Sequence, residues 1–203
     1  MKDQTKIVSM ETRRKAGEGN AAFSLVELLV VLVIVATLAS VGFAVMTSVI
    51  VKAKMVSAQS GAVGLENALK HYVVDYGSFP AQLRAAGEEK EGVAADVYLM
   101  DILLGINTIE NPRAIRYYDG KGASNSGKGV GILFDEGNQD SSGTLVDTFG
   151  GAYRVIVDSD GDGRVPNPDP DGKQQWLWQG VLVFSAGPDG DLETWDDNIR
   201  SWK

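Results

Sequence analysis

Residues 21–51 read AAFSLVELLVVLVIVATLASVGFAVMTSVIV. From Leu28 to Val51 no side chain is charged. As a helix rising 1.5 Å per residue this run is about 36 Å long, enough to cross a bilayer core. A polar leader, MKDQTKIVSMETRRKAGEGNAA, precedes it and carries a cationic cluster at Arg13, Arg14 and Lys15. Basic residues ahead of an apolar span predict a cytoplasmic N-terminus and put the remaining chain on the far side of the membrane. Lys52 and Lys54 beyond the span blur that asymmetry only slightly. One residue does not suit a plain anchor. Glu27 stands four positions after Phe23 in otherwise apolar sequence, where a carboxylate costs about 2–4 kcal/mol at mid-bilayer and less near an interface. Such a residue calls for a partner.

The stretch Ala21-Ala22-Phe23-Ser24-Leu25-Val26-Glu27-Leu28 resembles the cleavage and methylation motif of type IV pilins and type II secretion pseudopilins. The resemblance implies that a prepilin peptidase cuts between Ala22 and Phe23 and methylates the new Phe23 amine. It also implies that Glu27 recruits incoming subunits and sets their register. The family usually has glycine before the cut; Ala22 stands there in this chain, a small residue known as an alternative. The electrostatics agree with that assignment: cleavage creates a cationic amine, and Glu27 of one subunit neutralises the amine of the next, which removes most of the penalty of a buried unpaired charge. The pair would select one axial offset between neighbouring helices. The competing readings are a signal anchor with a stray glutamate and a secretory signal peptide. The second fits poorly, because the apolar run exceeds an ordinary signal core and no clear small-residue cleavage site follows it.

Past the apolar run, Met55, Ala58, Ala62, Leu65, Leu69, Tyr72 and Tyr76 recur at spacings of three and four, one face of an amphipathic helix. A single helix from Phe23 to about Tyr76 is therefore expected, ending at Gly77-Ser78-Phe79-Pro80. Gly42, Gly61 and Gly64 are expected to be points of bending. The predicted organisation is a leader at 1–22, a transmembrane and filament-core helix at 23–51, its amphipathic half at 52–80, and a globular α+β domain at 81–203. In that domain a loop and one short helix are expected between Ala81 and Leu104, and a polar, exposed connection over 105–128. Strands are expected at Val130–Phe134, Tyr153–Val157 and Trp178–Phe184. Turn-rich gaps favour a small antiparallel sheet packed against the long helix, the fold that the pilin resemblance implies.

Two acidic loops carry the candidate metal ligands. Asp158, Asp160 and Asp162, with Asp169 closing the series, follow the first half of an EF-hand loop, while Pro166, Pro168 and Pro170 argue against its exiting helix. A calcium-stapled hairpin is the expected structure there. Phe184-Ser185-Ala186-Gly187-Pro188-Asp189-Gly190 and Asp196-Asp197-Asn198-Ile199-Arg200-Ser201-Trp202 are similar to the closing loop of the major pseudopilin of type II secretion. That resemblance implies a calcium ion held by Asp189, Asp196 and Asn198, with Asn198 in place of the usual aspartate. Asp147-Thr148-Phe149-Gly150-Gly151-Ala152-Tyr153 resembles the same family's Asp-Pro-Trp-Gly-x-Pro-Tyr stretch, with both prolines absent and Phe149 in place of tryptophan. Calcium takes six to eight oxygen ligands, and clustered carboxylates in glycine-rich loops supply them. The plainer alternative for both loops is a solvated acidic surface.

Composition narrows the function classes. Cysteine is absent, and His71 is the single histidine, so thiolate chemistry, multi-histidine metal sites and a Ser–His–Asp triad are disfavoured. The net charge of −8 opposes a nucleic-acid partner, and the leader is net basic, so its removal makes the mature chain more acidic still. No catalytic residues are expected. The expected role is a structural subunit of a type IV-like filament, the pseudopilus of type II protein secretion, with calcium as a structural cofactor. Its partners would be identical or related pilin subunits, prepilin peptidase and an inner-membrane assembly platform. The chain would be a single-pass inner-membrane protein with its C-terminal domain in the periplasm. A surface pilin for adhesion, motility or DNA uptake and a membrane-anchored binding module are the alternatives. The closing loop and the lack of a cysteine-bounded terminal loop favour secretion.

Overall fold

A computed structural model describes residues 24–120, 122–123, 130–134 and 143–202, with the side chains of 41–45 outside that description. The chain divides into two units, Met1–Val45 and Met46–Lys203. Helix α1 spans Leu25–Tyr76, and Gly77 donates its N–H to Val73 O at 2.7 Å where the helix stops. Among the described residues no helix is long and apolar enough to cross a membrane. The span expected over 23–51 includes Phe23 and the side chains of 41–45, so only parts of it fall within the description.

In the second unit the three-and-four spacing of α1 becomes a buried stripe. Ala58, Ala62, Leu65, Leu69 and Tyr72 are buried, with Met55 and Tyr76 packed at its edges. Two short helices follow, α2 (Ala81–Ala86) and α3 (Val97–Leu103). Asp96 caps α3, its Oδ1 accepting the Leu99 N–H at 3.0 Å, as a short acidic side chain does at a helix start.

The strands are β1 (Val93–Ala94), β2 (Gly131–Phe134), β3 (Gly143–Val146), β4 (Arg154–Val157), β5 (Val165–Pro166), β6 (Trp176–Leu177), β7 (Val181–Ser185) and β8 (Ile199–Arg200). Four form an antiparallel sheet in the order β1-β4-β7-β8, and β2·β3 and β5·β6 form separate antiparallel pairs. The α+β class with a long N-terminal helix and small antiparallel sheets is as expected from the sequence. Side chains alternate across a strand, and here both faces of the central pair are covered. Val155, Val157, Val181 and Val183 face the α1 stripe. Ile156, Leu182 and Phe184 join Val165, Leu177 and Trp202 in a second core. The register pairs Val155 with Val183 and Ile156 with Leu182, so the two cores stay separate along the sheet.

One glycine has a role beyond the expected one, and one expectation needs correction. Gly61, expected as a bending point, is where Tyr153 approaches the helix: a Cβ there would lie 2.5 Å from the Tyr153 hydroxyl oxygen and 2.6 Å from Val130 Cγ1. The glycine makes room for that side chain. The connection expected to be exposed over 105–128 is anchored in its first part. Asn111 is fully buried. Its Nδ2 donates to Ile102 O at 2.8 Å and Ile115 O at 2.7 Å, and its Oδ1 accepts from the Ile115 N–H at 3.1 Å and the Tyr76 hydroxyl at 2.7 Å. Tyr118 is buried too. A side-chain amide that satisfies this many backbone groups does the work of a strand partner.

Candidate functional site

Ala22 and Phe23, the expected cleavage and methylation residues, lie outside the described residues. The site begins for the structure at Ser24. Ser24-Leu25-Val26-Glu27 opens α1 with the serine just before the first helical residue and the glutamate in the first turn. Glu27 Oε2 accepts the Ser24 N–H at 3.0 Å, and Ser24 Oγ accepts the Val26 N–H at 3.4 Å. Glu27 is exposed, as are Leu25, Val26 and the aliphatic run from Leu28 to Val35. The Thr37 and Ser40 hydroxyls donate to Ile34 O and Thr37 O, each at 2.8 Å, so these two polar groups are spent within the helix itself. A helix segment that exposes apolar side chains on every side suits a lipid or protein environment and not water.

In the second unit, the Asp147–Tyr153 loop ties α1 to the sheet. Asp147 is fully buried. Its Oδ1 accepts the Phe149 N–H at 2.7 Å and the Gly151 N–H at 3.0 Å, and its Oδ2 accepts the Ser185 hydroxyl of β7 at 2.7 Å. The Thr148 hydroxyl donates to Lys54 O at 2.9 Å and the Tyr153 hydroxyl to Ala58 O at 2.7 Å. Burial drives the Tyr153 phenol well above its ordinary value, with the Asp147 charge adding in the same direction, so this hydroxyl remains a neutral donor. The sequence offered Asp147 only as part of a resemblance; its buried role depends on Ser185, 38 positions away.

The first acidic loop is organised around Asp158. Its Oδ1 accepts the Gly161 and Asp162 N–H groups at 2.7 and 3.1 Å, and its Oδ2 accepts the Gly163 N–H at 2.8 Å. Asp160 Oδ1 accepts the Asp162 N–H at 3.1 Å. Asp158 and Asp160 each bring a carboxylate oxygen to a set completed by Glu88, all within 4.8 Å of one another. Glu88 arrives from the segment after α2, and no spacing rule in the sequence links it to this loop. Burial raises its carboxyl above the usual value; the neighbouring Asp160, Asp162 and Asp158 charges add to that, against the Ser159 N–H that it accepts. The other two expected ligands are engaged elsewhere. Asp162 pairs with Arg164 at 2.7 Å, and Asp169 pairs with Arg200 of β8 at 3.2 Å.

In the closing loop, Gly187 follows β7 in a left-handed conformation (φ +67°), and a Cβ there would collide with the backbone at Asp197, 2.2 Å from its carbonyl oxygen. This contact brings the two halves of the expected motif together. Asp189 accepts the Thr194 hydroxyl and the Asp191 N–H, and these bonds, the hydroxyl first, hold its carboxyl below the ordinary value. Asp196 is exposed. Asn198 is buried; its Nδ2 donates to Leu192 O at 3.1 Å while its Oδ1 is buried with no hydrogen-bond partner. An unsatisfied buried carbonyl oxygen is costly, and a hard cation is one group that would satisfy it. Asp189, Asp196 and Asn198 offer only oxygen donors, the kind calcium takes; among the described residues the group of three carboxylates close enough to share an ion is Glu88, Asp158 and Asp160, and Asp189 and Asp196 are not part of it.

Residues 19–43 match the family model of the prokaryotic N-terminal methylation motif. The matched segment contains Ala22, Phe23 and Glu27 and the start of α1. No curated protein and no solved structure matches the chain. Together with the exposed apolar helix that begins at Leu25, the motif supports a type IV pilin-like protein, made as a membrane-anchored precursor and processed by prepilin peptidase.

Proposed function

We propose that this chain is a structural, non-catalytic subunit of a type IV-like filament, the pseudopilus of a type II secretion system. The observation that carries the reading is the methylation motif lying directly on a helix whose apolar side chains are exposed on all sides, with Glu27 in its first turn. In this reading the precursor sits in the inner membrane with residues 1–22 in the cytoplasm and the domain in the periplasm. Cleavage after Ala22 frees the Phe23 amine, and an assembly platform feeds the subunit into a homopolymer. Glu27 of one copy meets the Phe23 amine of the next, and the apolar helices pack into the filament core. The closing loop around Asp189 and Asn198 supports the secretion branch over a surface pilus. Mass spectrometry of the mature N-terminus tests the processing step. The expected species begins at a monomethylated Phe23; a native, working protein that keeps residues 1–22 would overturn the reading.

We further propose that calcium is a structural cofactor. Asp189, Asp196 and Asn198 would hold one ion, and Asp158 and Asp160 with Glu88 a second; Asp162 and Asp169 would join only by giving up Arg164 and Arg200. When bound, the ion neutralises carboxylates that otherwise repel across each loop. In the ion-free chain Glu88 holds its proton more tightly folded than unfolded. That contribution to stability is therefore present below its ordinary value and lost as pH rises through the raised one, which is where a cation takes over. At a free calcium concentration about 100 times its dissociation constant the gain is about 2.7 kcal/mol per site, a rise of about 5–10 °C in Tm for a domain of this size. All four tryptophans lie at 176 or beyond, so tryptophan fluorescence of the full chain in detergent reports this domain. Equal melting in calcium and in excess chelator would remove both metal sites.

A further inference from the structure

Ser24 and Glu27 have the S-x-x-E spacing of a capping box, and two hydrogen bonds form there: the glutamate reaches back to the Ser24 N–H as in that motif, while the serine hydroxyl takes the Val26 N–H in place of the Glu27 N–H. The stronger one runs from the Ser24 N–H to Glu27 Oε2 at 3.0 Å; the weaker, from the Val26 N–H to Ser24 Oγ, is 3.4 Å long. Only one oxygen of the carboxylate is taken. Among the described residues Glu27 Oε1 accepts no hydrogen bond, and the side chain is exposed.

We propose that Ser24 is a positioning residue for assembly: its backbone N–H holds the Glu27 carboxylate in one rotamer at the start of α1, so that Oε1 is presented to the free α-amine of a second copy of this chain. The inference rests on the registry role proposed above for Glu27 and adds how that side chain is prepared. A free glutamate samples many rotamers, and fixing it on docking opposes association. The capping bond fixes it beforehand. A hydrogen bond to an ionised acceptor is stronger than a neutral one, and the N-terminal end of a helix favours negative charge. The carboxylate thus stays ionised and oriented while it waits, with one lone-pair edge open. A cationic amine complements that open edge, whereas a hydroxyl or a neutral amide would leave the charge unpaired.

The donor is a backbone group, so the decisive variant is Ser24→Pro. Proline removes the N–H and is tolerated at a helix start. Ser24→Ala keeps the N–H and loses only the weaker bond, and Ser24→Thr keeps both. With the peptidase and assembly machinery present, filaments are recovered by shearing and normalised to cleaved, membrane-inserted protein. Ser24→Thr is expected to assemble as the parent does and Ser24→Ala to come close to it. Ser24→Pro is expected to yield about tenfold less, the scale of one immobilised long side chain. Amide hydrogen exchange of the mature chain in detergent supplies a second readout, which decides the matter if the proline variant escapes cleavage. The Ser24 amide should be protected in the parent and lose protection in Glu27→Ala. Parent-level filaments from cleaved Ser24→Pro, or a Ser24 amide that exchanges equally with and without Glu27, would overturn the proposal. Normal assembly of Glu27→Ala would instead remove the registry reading beneath it.

Discussion

Glu27→Ala enters the membrane, is cleaved at its leader, and yields no filaments. Insertion should improve slightly, because the substitution deletes the one charged side chain between Phe23 and Val51. Assembly should fail, because the Phe23 amine of the neighbouring subunit would then enter the helix bundle with no counter-charge. Breaking a buried pair by removing one partner costs about 3–5 kcal/mol, a factor of about 100 or more in association for each subunit added. That cost recurs at every step of growth, so a modest change per subunit becomes complete loss of the polymer. Sheared fractions and membrane fractions of the same cells, probed together, check this. Parent-level filaments with a membrane pool of normal size would show that the carboxylate sets no register.

Asp147→Ala should destabilise the unit from Met46 onward. Three donors converge on this fully buried carboxylate, two from its own loop and one from Ser185 of β7. Truncation strands all three in a dry site, and each stranded donor costs about 1–3 kcal/mol. A loss of about 3–5 kcal/mol is expected after relaxation, a fall in Tm on the order of 10 °C. Asp147→Asn keeps the Oδ1 acceptor for Phe149 and Gly151. It turns the other end into an amide donor, and the Ser185 hydroxyl can rotate to accept from it. It should therefore lie between the parent and Asp147→Ala. Tryptophan fluorescence melting orders the three proteins. An Asp147→Ala variant as stable as the parent would mean that water replaces the carboxylate.

The parts of the fold that were legible in the sequence are those where one repeating physical pattern runs long enough. The α1 stripe and its stop after Tyr76 were readable because burial on a helix repeats every three to four residues. The cores of β2, β4 and β7 were readable because each is a run of branched or aromatic side chains. Strands β1, β5, β6 and β8 are only two residues long; what makes them strands is a partner elsewhere in the chain, and no local pattern records that. Asn111 shows the same limit. Its type and the following Pro112 spell a turn, while its environment is a buried hub built from Ile102, Ile115 and Tyr76.

At the candidate sites the sequence named chemistry better than partners. The Asp-x-Asp-x-Asp-Gly spacing identified a loop, and the structure folds that loop around Asp158. The third carboxylate gathered there is Glu88, 70 residues upstream of Asp158 in the chain and brought in by the segment following α2. Asp169 fits the spacing, yet it meets Arg200, because β8 carries a cation to the same place. Asn198 stood out as a substitution of the usual aspartate; its unpaired Oδ1 emerges only once Leu192 has claimed the other end of the amide.

Thr148 and Tyr153 hold α1 by two main-chain oxygens, those of Lys54 and Ala58, which lie four residues or about 6 Å apart along the axis, a little over one turn. A grip of this kind uses the backbone at position 54, while the Lys54 side chain separately lies over the Phe149 ring of the same loop, 5.6 Å from its centroid. The grip is sensitive to pitch. The loop works as a ruler laid along one turn of the rod, and any stretch or overwinding between those two oxygens would be passed to the start of β4 through Tyr153.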